Sequence, residues 1–287
     1  MKTVLVTGAS GQLGSCLQKI ADEYPQLDFL FMSSSEVDIT DKCGLHQLFA
    51  AKEINYCINC AAYTNVEKAE EEKEKAFQIN AEAVKNLSEI CKANDAVLIH
   101  ISTDYVFDGR ASQPYSEEDE TNPINVYGAS KLKGEEYIRN ILQEYFIFRT
   151  SWLYSEFGHN FFRTILRKAE EGAELNITTS QKGTPTNAND LARLLLEIIS
   201  EENSEFGLYH FSNLGEATWF DFAKSILELS GKEEQVQLNE SNNYRTVAAR
   251  PAYSLLNKSK VEETFRQPLL TWEDSLRQLI ESRVKTE

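Results

Sequence analysis

No stretch of this 287-residue sequence approaches the roughly 18 consecutive apolar residues that a membrane helix requires, so no membrane partner is expected. The opening Met1-Lys2-Thr3-Val4-Leu5-Val6-Thr7-Gly8 reads as a short strand and lacks the apolar core of a secretory signal. Cysteine is scarce and unpatterned. Cys16, Cys43, Cys57, Cys60 and Cys91 form no spaced framework, as expected for a reduced compartment, with the cytoplasm as default. Positive charge is also short: 29 Lys and Arg against 45 Asp and Glu leave a net charge of -16. That balance excludes nucleic acid as a partner, because such binding rests on neutralising phosphates with basic surface. Any anionic ligand must instead be held by local donors, such as helix N-termini and single arginines. His46, His100, His159 and His210 are scattered without ligand spacing, and no metal site is expected. His100, inside an apolar run, reads as a hydrogen-bonded core residue. No internal repeat or low-complexity tract is present.

What the sequence does contain is alternation. Short apolar runs at Thr3–Thr7, Leu27–Phe31, Tyr56–Cys60, Val97–Ser102 and Tyr145–Arg149 predict strands. Leu13, Leu17, Ile20 and Tyr24 recur at helical spacing between the first two runs. Ala76, Ile79, Ala83, Leu87 and Cys91 do so between the third and fourth. Strand–helix–strand alternation implies βαβ units and a parallel sheet. The expected fold is α/β: a Rossmann-like doubly wound parallel sheet with a smaller, partly interleaved C-terminal lobe. Helices are expected at Asn160–Glu171, Asn187–Ser200, Thr218–Ser230 and Trp272–Ser282, with an extended piece at Leu208–Phe211.

Gly8-Ala9-Ser10-Gly11-Gln12-Leu13-Gly14 follows the first strand and opens the first helix. Glycines there permit a tight turn, close approach of backbone to a pyrophosphate, and close helix–strand packing. The helix N-terminus adds free N–H groups. The spacing differs from GxGxxG, and no Lys-Ser/Thr pair marks a P-loop. A plain glycine-rich turn is the bland alternative; its place at the first βα turn favours a dinucleotide. Residues 1–150 are then the NAD(P)-binding domain, with segments near 187–213 returning to it, and 151–287 mostly the substrate lobe. At the end of the second strand, Phe31-Met32-Ser33-Ser34-Ser35-Glu36 offers neither an unambiguous acid for ribose hydroxyls nor an arginine for a 2′-phosphate, so NADH and NADPH both stay open.

Tyr127-Gly128-Ala129-Ser130-Lys131 places Tyr127 and Lys131 four apart, on one helix face. An ammonium beside the phenol is expected to draw its pKa from about 10 toward the working pH. Ser102-Thr103-Asp104-Tyr105 ends the fourth predicted strand, where open parallel sheets bind ligands. A hydroxyl there can polarise a carbonyl while Tyr127 delivers the proton. Taken singly, each piece has a structural reading: a surface Tyr and Lys, or a Ser/Thr/Asp turn.

In their order, these three pieces resemble the short-chain dehydrogenase/reductase superfamily in its extended branch. Further stretches resemble one member family, the dTDP-4-dehydrorhamnose reductases. They include Val37-Asp38-Ile39-Thr40, Asn59-Cys60-Ala61-Ala62-Tyr63-Thr64-Asn65-Val66, Ser102-Thr103-Asp104-Tyr105-Val106-Phe107-Asp108-Gly109, Arg149-Thr150-Ser151-Trp152, Gly158-His159-Asn160-Phe161 and Arg250-Pro251. The resemblance implies reduction of the C4 ketone of dTDP-6-deoxy-L-lyxo-4-hexulose to dTDP-L-rhamnose, with hydride from NADPH or NADH. It implies Thr103, Tyr127 and Lys131 as catalytic residues. Gly8, Ser10, Gly11, Gln12, Leu13, Gly14, Asp38, Ile39, Ala61, Ala62 and Thr64 would bind the cofactor with Tyr127 and Lys131. Thr103, Asp104, Trp152, Asn160 and Arg250 would contact the nucleotide sugar, with Arg250 suited to a diphosphate. Two departures stand out. Cys16 replaces a first-helix glutamate that helps some members form a metal-linked dimer, leaving monomer or homodimer open. Ser33–Ser35 lacks the basic residue of many relatives, which tilts the reading toward dual or NADH use.

Cys57 and Cys60 have CxxC spacing, but three residues along a strand reverse the face, so no shared metal is expected. Glu67–Lys75 reads as a solvated helix start without a ligand. Related dehydratases carry an Asp-Glu pair after the threonine; here Asp104 is followed by Tyr105. An epimerase, another ketosugar reductase or a non-catalytic regulatory subunit is the competing reading.

Overall fold

The computed structural model describes residues 1–241 and 246–284. Five apolar runs form β1 (Lys2–Thr7), β2 (Leu27–Met32), β3 (Tyr56–Asn59), β4 (Val97–Thr103) and β5 (Tyr145–Thr150), each within two residues of its expected bounds. They pair in parallel in the order β5-β4-β3-β1-β2, and the strand Gly207–His210 adds to the β5 edge. Both faces of these strands are covered, which is why their sequences run apolar without alternation.

On one face the helices Gln12–Ile20 and Ala188–Ser200 pack over Val4, Val6, Ile58, Ile99 and Phe148. On the other, Lys42–Ala51, Ala83–Ala93 and Val126–Ile141 cover Leu5, Cys57, Leu98 and Ile147. Cys57 and Cys60 duly fall on opposite faces. A third cluster gathers the helices Phe161–Glu170, Trp219–Leu229 and Trp272–Val284 around Tyr154, Phe222 and Leu276. Asn187 of the Ala188–Ser200 helix cap donates to Ser275 Oγ (2.9 Å), and Ser275 donates to Asp190 (2.6 Å), tying that cluster to the sheet.

The order of the strands reverses between β1 and β3, since β2 lies to one side and β3 to the other. Chain leaves the two strand ends in opposite directions there and opens a crevice. Among the described residues no helix is long and apolar enough to cross a membrane.

Candidate active site

A cleft of about 1080 Å³ lies over that crevice, lined from the ends of β1, β3, β4 and β5 and from the third cluster. Its floor is the glycine loop. Gly8 has φ +63°, and a Cβ there would meet the backbone of Ala61 at 2.7 Å, so the turn after β1 can close on β3 only with glycine. Gly14 lies against Ala9 in the same manner, supporting the loop from beneath rather than lining the cleft. The helix Gln12–Ile20 starts at Gly11 with no side-chain cap and no acid in its first turn, so its N-terminal N–H groups face the cleft uncompensated. Ser10, Gln12, Leu13, Asp38, Ile39, Ala61, Ala62 and Thr64 also line the cleft. Asp38 folds back to accept from the N–H and hydroxyl of Thr40, both at 2.8 Å.

Thr103 closes β4. Its hydroxyl donates to Asp104 Oδ1 (3.1 Å) and accepts from the Tyr105 N–H (3.2 Å). Tyr127 enters from the first turn of the Val126–Ile141 helix, which Asn125 caps by accepting from the Gly128 N–H at 2.7 Å. Gly128 is seated so closely on the Tyr105 carbonyl that a side chain would collide with it, which fixes Tyr127 against the Thr103 turn. Two further side chains hold this helix. Glu70 accepts from the Val126 N–H (2.8 Å). Asn80, in the π-helical turn Gln78–Glu82, donates to Ser130 (2.9 Å) and to the Tyr63 carbonyl (3.0 Å). One turn further along, buried Glu135 accepts from Ser102 (2.5 Å) and pairs with Arg149 (2.8 Å).

The electrostatics differ from the expectation for Tyr127. Burial pushes its phenol up to about 12; the hydrogen bond with Thr103 opposes this, and the Asp104 charge adds to it. Burial instead brings Lys131 down to about 8, against the pull of Glu135. Lys131 Nζ donates to the Ile101 carbonyl (2.6 Å) and lies 3.2 Å from His100 Nε2, so its ammonium is anchored beneath the cleft rather than spent on the phenol. Desolvation is the leading cause of both shifts. The result suits an acid: at neutral pH the phenol keeps the proton it has to give. Burial likewise raises the Asp104 carboxyl to about 7, with Ser254 and Thr103 hydrogen bonds opposing.

Trp152 lines the cleft with φ +46° and stacks on Trp219, ring centroids 3.7 Å apart and planes within 9°. Arg250 also lines it, with its guanidinium donating to Glu67 at 2.7 Å. Asn160 does not line the cleft. Its carboxamide caps the Phe161–Glu170 helix at Arg163 N and donates to Gln12 Oε1 (2.8 Å), so it reaches the glycine loop only through Gln12.

The charged run after Val66 is more than a solvated helix start. It breaks into Val66–Ala69 and Lys73–Phe77, and its carboxylates have assigned work: Glu67 on Arg250 and the Val247 N–H, Glu70 on the tyrosine helix, Glu72 on the Tyr63 hydroxyl. Lys75 lines the cleft. Trp219 joins it unannounced by any motif read above, as do Tyr105 and His159, which stand in those motifs with no role assigned to them. For Trp219 a signal existed: Thr218 and Asp221 form a capping box that marks it as the first helical residue, at the head of the stripe Phe222, Ala223, Ile226 and Leu227.

Residues 1–284 match the family described as the RmlD substrate binding domain. A dTDP-4-dehydrorhamnose reductase from Sinorhizobium fredii is 37% identical over 284 residues, covering 96% of this chain and 95% of the relative. The crystal structure of a dTDP-4-dehydrorhamnose reductase from Clostridium acetobutylicum is similar with a TM-score of 0.92 at 37% identity, over 98% of this chain and 99% of that one. That of a dTDP-4-dehydrorhamnose reductase from Bacillus anthracis, in complex with NADP, gives a TM-score of 0.92 at 36% identity with the same coverage.

Proposed function

The chain belongs to the RmlD substrate binding domain family, that of the dTDP-4-dehydrorhamnose reductases, and from that premise we propose the roles of its residues in an NAD(P)H-dependent reduction. The reaction is reduction of the C4 ketone of dTDP-6-deoxy-L-lyxo-4-hexulose to dTDP-L-rhamnose. The observation that carries this reading is the convergence of Thr103, Tyr127 and Lys131 with the uncapped glycine-loop helix on one cleft.

The cleft fits a dinucleotide. The close approach at Gly8 and the free N–H groups of the Gln12–Ile20 helix suit a pyrophosphate, and Asp38 and Ile39 border the adenine end. When bound, the reduced nicotinamide supplies the hydride that reaches C4. Tyr127 donates its proton to the ketone oxygen, and Thr103 turns its hydroxyl from Asp104 to that oxygen and polarises it. Lys131, with two donors committed to Ile101 and His100, keeps a third for the ribose and for the phenolate that Tyr127 becomes. Arg250 exchanges Glu67 for the substrate's diphosphate, and Trp152 and Asp104 contact the sugar nucleotide. Residues 1–150, with 187–213, hold the coenzyme, and 151–287 mostly hold the sugar nucleotide. The five cysteines are unpaired, which fits work in the cytoplasm as a monomer or homodimer.

The test supplies the ketosugar, generated in situ, and follows oxidation of NADH and NADPH separately. Sugar-dependent oxidation yielding dTDP-L-rhamnose should fall ~10²–10⁴-fold in Tyr127→Phe while coenzyme still binds. Coenzyme binding without turnover in the unaltered protein would sink the assignment.

A further inference from the structure

Behind Lys131 runs a line of buried polar side chains that proton delivery to the ketone does not use. Thr7 on β1, Asn59 on β3 and His100 on β4 are cross-strand neighbours in register, each no more than 1% exposed. Thr7 Oγ1 is 2.7 Å from Asn59 Oδ1, Asn59 Nδ2 is 3.0 Å from His100 Nδ1, and His100 Nε2 is 3.2 Å from Lys131 Nζ. Four groups with limited donors and acceptors thus meet end to end, each of them buried.

The same heavy atoms accommodate two tautomers of the neutral ring. In the first, Thr7 donates to Asn59 Oδ1 and Asn59 Nδ2 donates to a bare His100 Nδ1. The imidazole then carries its proton on Nε2, facing Lys131, which only the lone pair of a neutral amine can accept. In the second, Lys131 donates to a bare Nε2, the one role open to it as an ammonium. His100 then carries its proton on Nδ1 and donates to Asn59 Oδ1, so the carboxamide is turned over and Nδ2 donates to Thr7 Oγ1. A doubly protonated ring fits neither arrangement.

The geometry points to His100 as a positioning residue for the reaction, one that locks Lys131 in its ammonium form by a tautomer and amide switch extending to Thr7. The proposal rests on the reading of Lys131 given above. Burial and the Lys131 charge hold the His100 ring well below its ordinary value, which keeps it neutral in both arrangements. Lys131 is faced in addition by Glu135 from its own helix and Cys60 from the end of β3; Glu135 is itself occupied by Arg149 and Ser102. His100 is thereby the group through which the lysine's proton is communicated to the sheet.

Two measurements test this. In the ligand-free protein labelled with ¹⁵N, the ring nitrogens of His100 should exchange roles over the same pH range in which the Lys131 amine titrates. In Lys131→Met one tautomer should persist at every pH. A His100 tautomer that stays fixed while Lys131 titrates overturns the proposal, whatever the substrate is. In turnover, His100→Leu removes the acceptor for the ammonium. It should lower kcat about 10-fold or more, leave KM for the sugar nucleotide unchanged, and move the alkaline limb of the pH profile to lower pH. His100→Gln, whose amide oxygen can accept from Lys131, should restore the limb. Loss of rate in His100→Leu with an unmoved limb overturns the proposal as packing only. Absence of turnover in the unaltered enzyme would refute the assigned reaction alone, because the ring nitrogens are read without substrate.

Discussion

Replacing Asp104 by asparagine should make the protein more stable at pH 8 and change it little at pH 5. Asp104 is 2% exposed, its Oδ2 has no hydrogen-bond partner among the described residues, and burial lifts its carboxyl from 3.8 to about 7. A carboxyl raised on folding binds more protons in the folded state than in the unfolded one between those two values. Its contribution is therefore most favourable below about pH 4 and is lost as pH rises through 7. The shift, at ~1.36 kcal/mol for each unit, places the cost of ionising Asp104 at ~4 kcal/mol by pH 8, with less than half of it present at pH 5. Asparagine keeps an acceptor for Thr103 and forfeits about one hydrogen bond's worth, ~1–2 kcal/mol. The net gain is about 2 kcal/mol at pH 8 and near zero at pH 5, or a Tm rise of about 4–8 °C at the higher pH. Urea titrations of both proteins at the two pH values, supported by thermal melts, measure it. A variant no more stable than the parent at pH 8, or equally stabilised at both pH values, would refute the reasoning. A carboxylate left costly in a cleft is expected where a ligand hydroxyl supplies the missing partner, so the same variant should bind the sugar nucleotide less tightly.

Glu135→Ala leaves the Arg149 guanidinium buried without its carboxylate and should cost ~3–5 kcal/mol, read as a lowered urea midpoint. Gly8→Ala forces a Cβ into the Ala61 backbone at a left-handed φ; coenzyme fluorescence titration should show dinucleotide affinity falling at least about 10-fold. Trp219→Ala removes the ring against which Trp152 stacks and should raise KM for the sugar nucleotide about 3–10-fold, with coenzyme affinity unchanged.

How far the primary structure announced this molecule depends on the kind of signal. The strands were legible because a parallel strand covered on both faces must be largely apolar, as Val97–Ile101 is apart from His100, and because turn residues bound it. The helix Lys42–Ala51 was not, since it buries little more than Leu45 and Phe49 and so prints a weak stripe. The glycine loop and the Tyr127–Lys131 spacing were legible because both encode local geometry. The work of Glu67 was not: its partner Arg250 lies 183 residues away, and nothing near a glutamate in a charged run distinguishes an ion pair from solvent. Asn160 shows the opposite case, a polar residue in a recognisable motif whose side chain the fold spends on a helix cap and on Gln12.

The amino-acid sequence by itself determined the parallel α/β sheet, the phosphate-binding turn and the acid–base pair, because each depends on residues within a few positions of one another. Only the tertiary structure decided the protonation of that pair. Burial drove Tyr127 up and Lys131 down, where proximity alone had suggested a lowered phenol. It also decided that Thr7, Asn59 and His100 stand in line behind the lysine, since strand register, which no local pattern specifies, brings them side by side. Desolvation and register are sums over distant parts of the chain, and a charge's energy in the fold is set by them rather than by its neighbours in sequence.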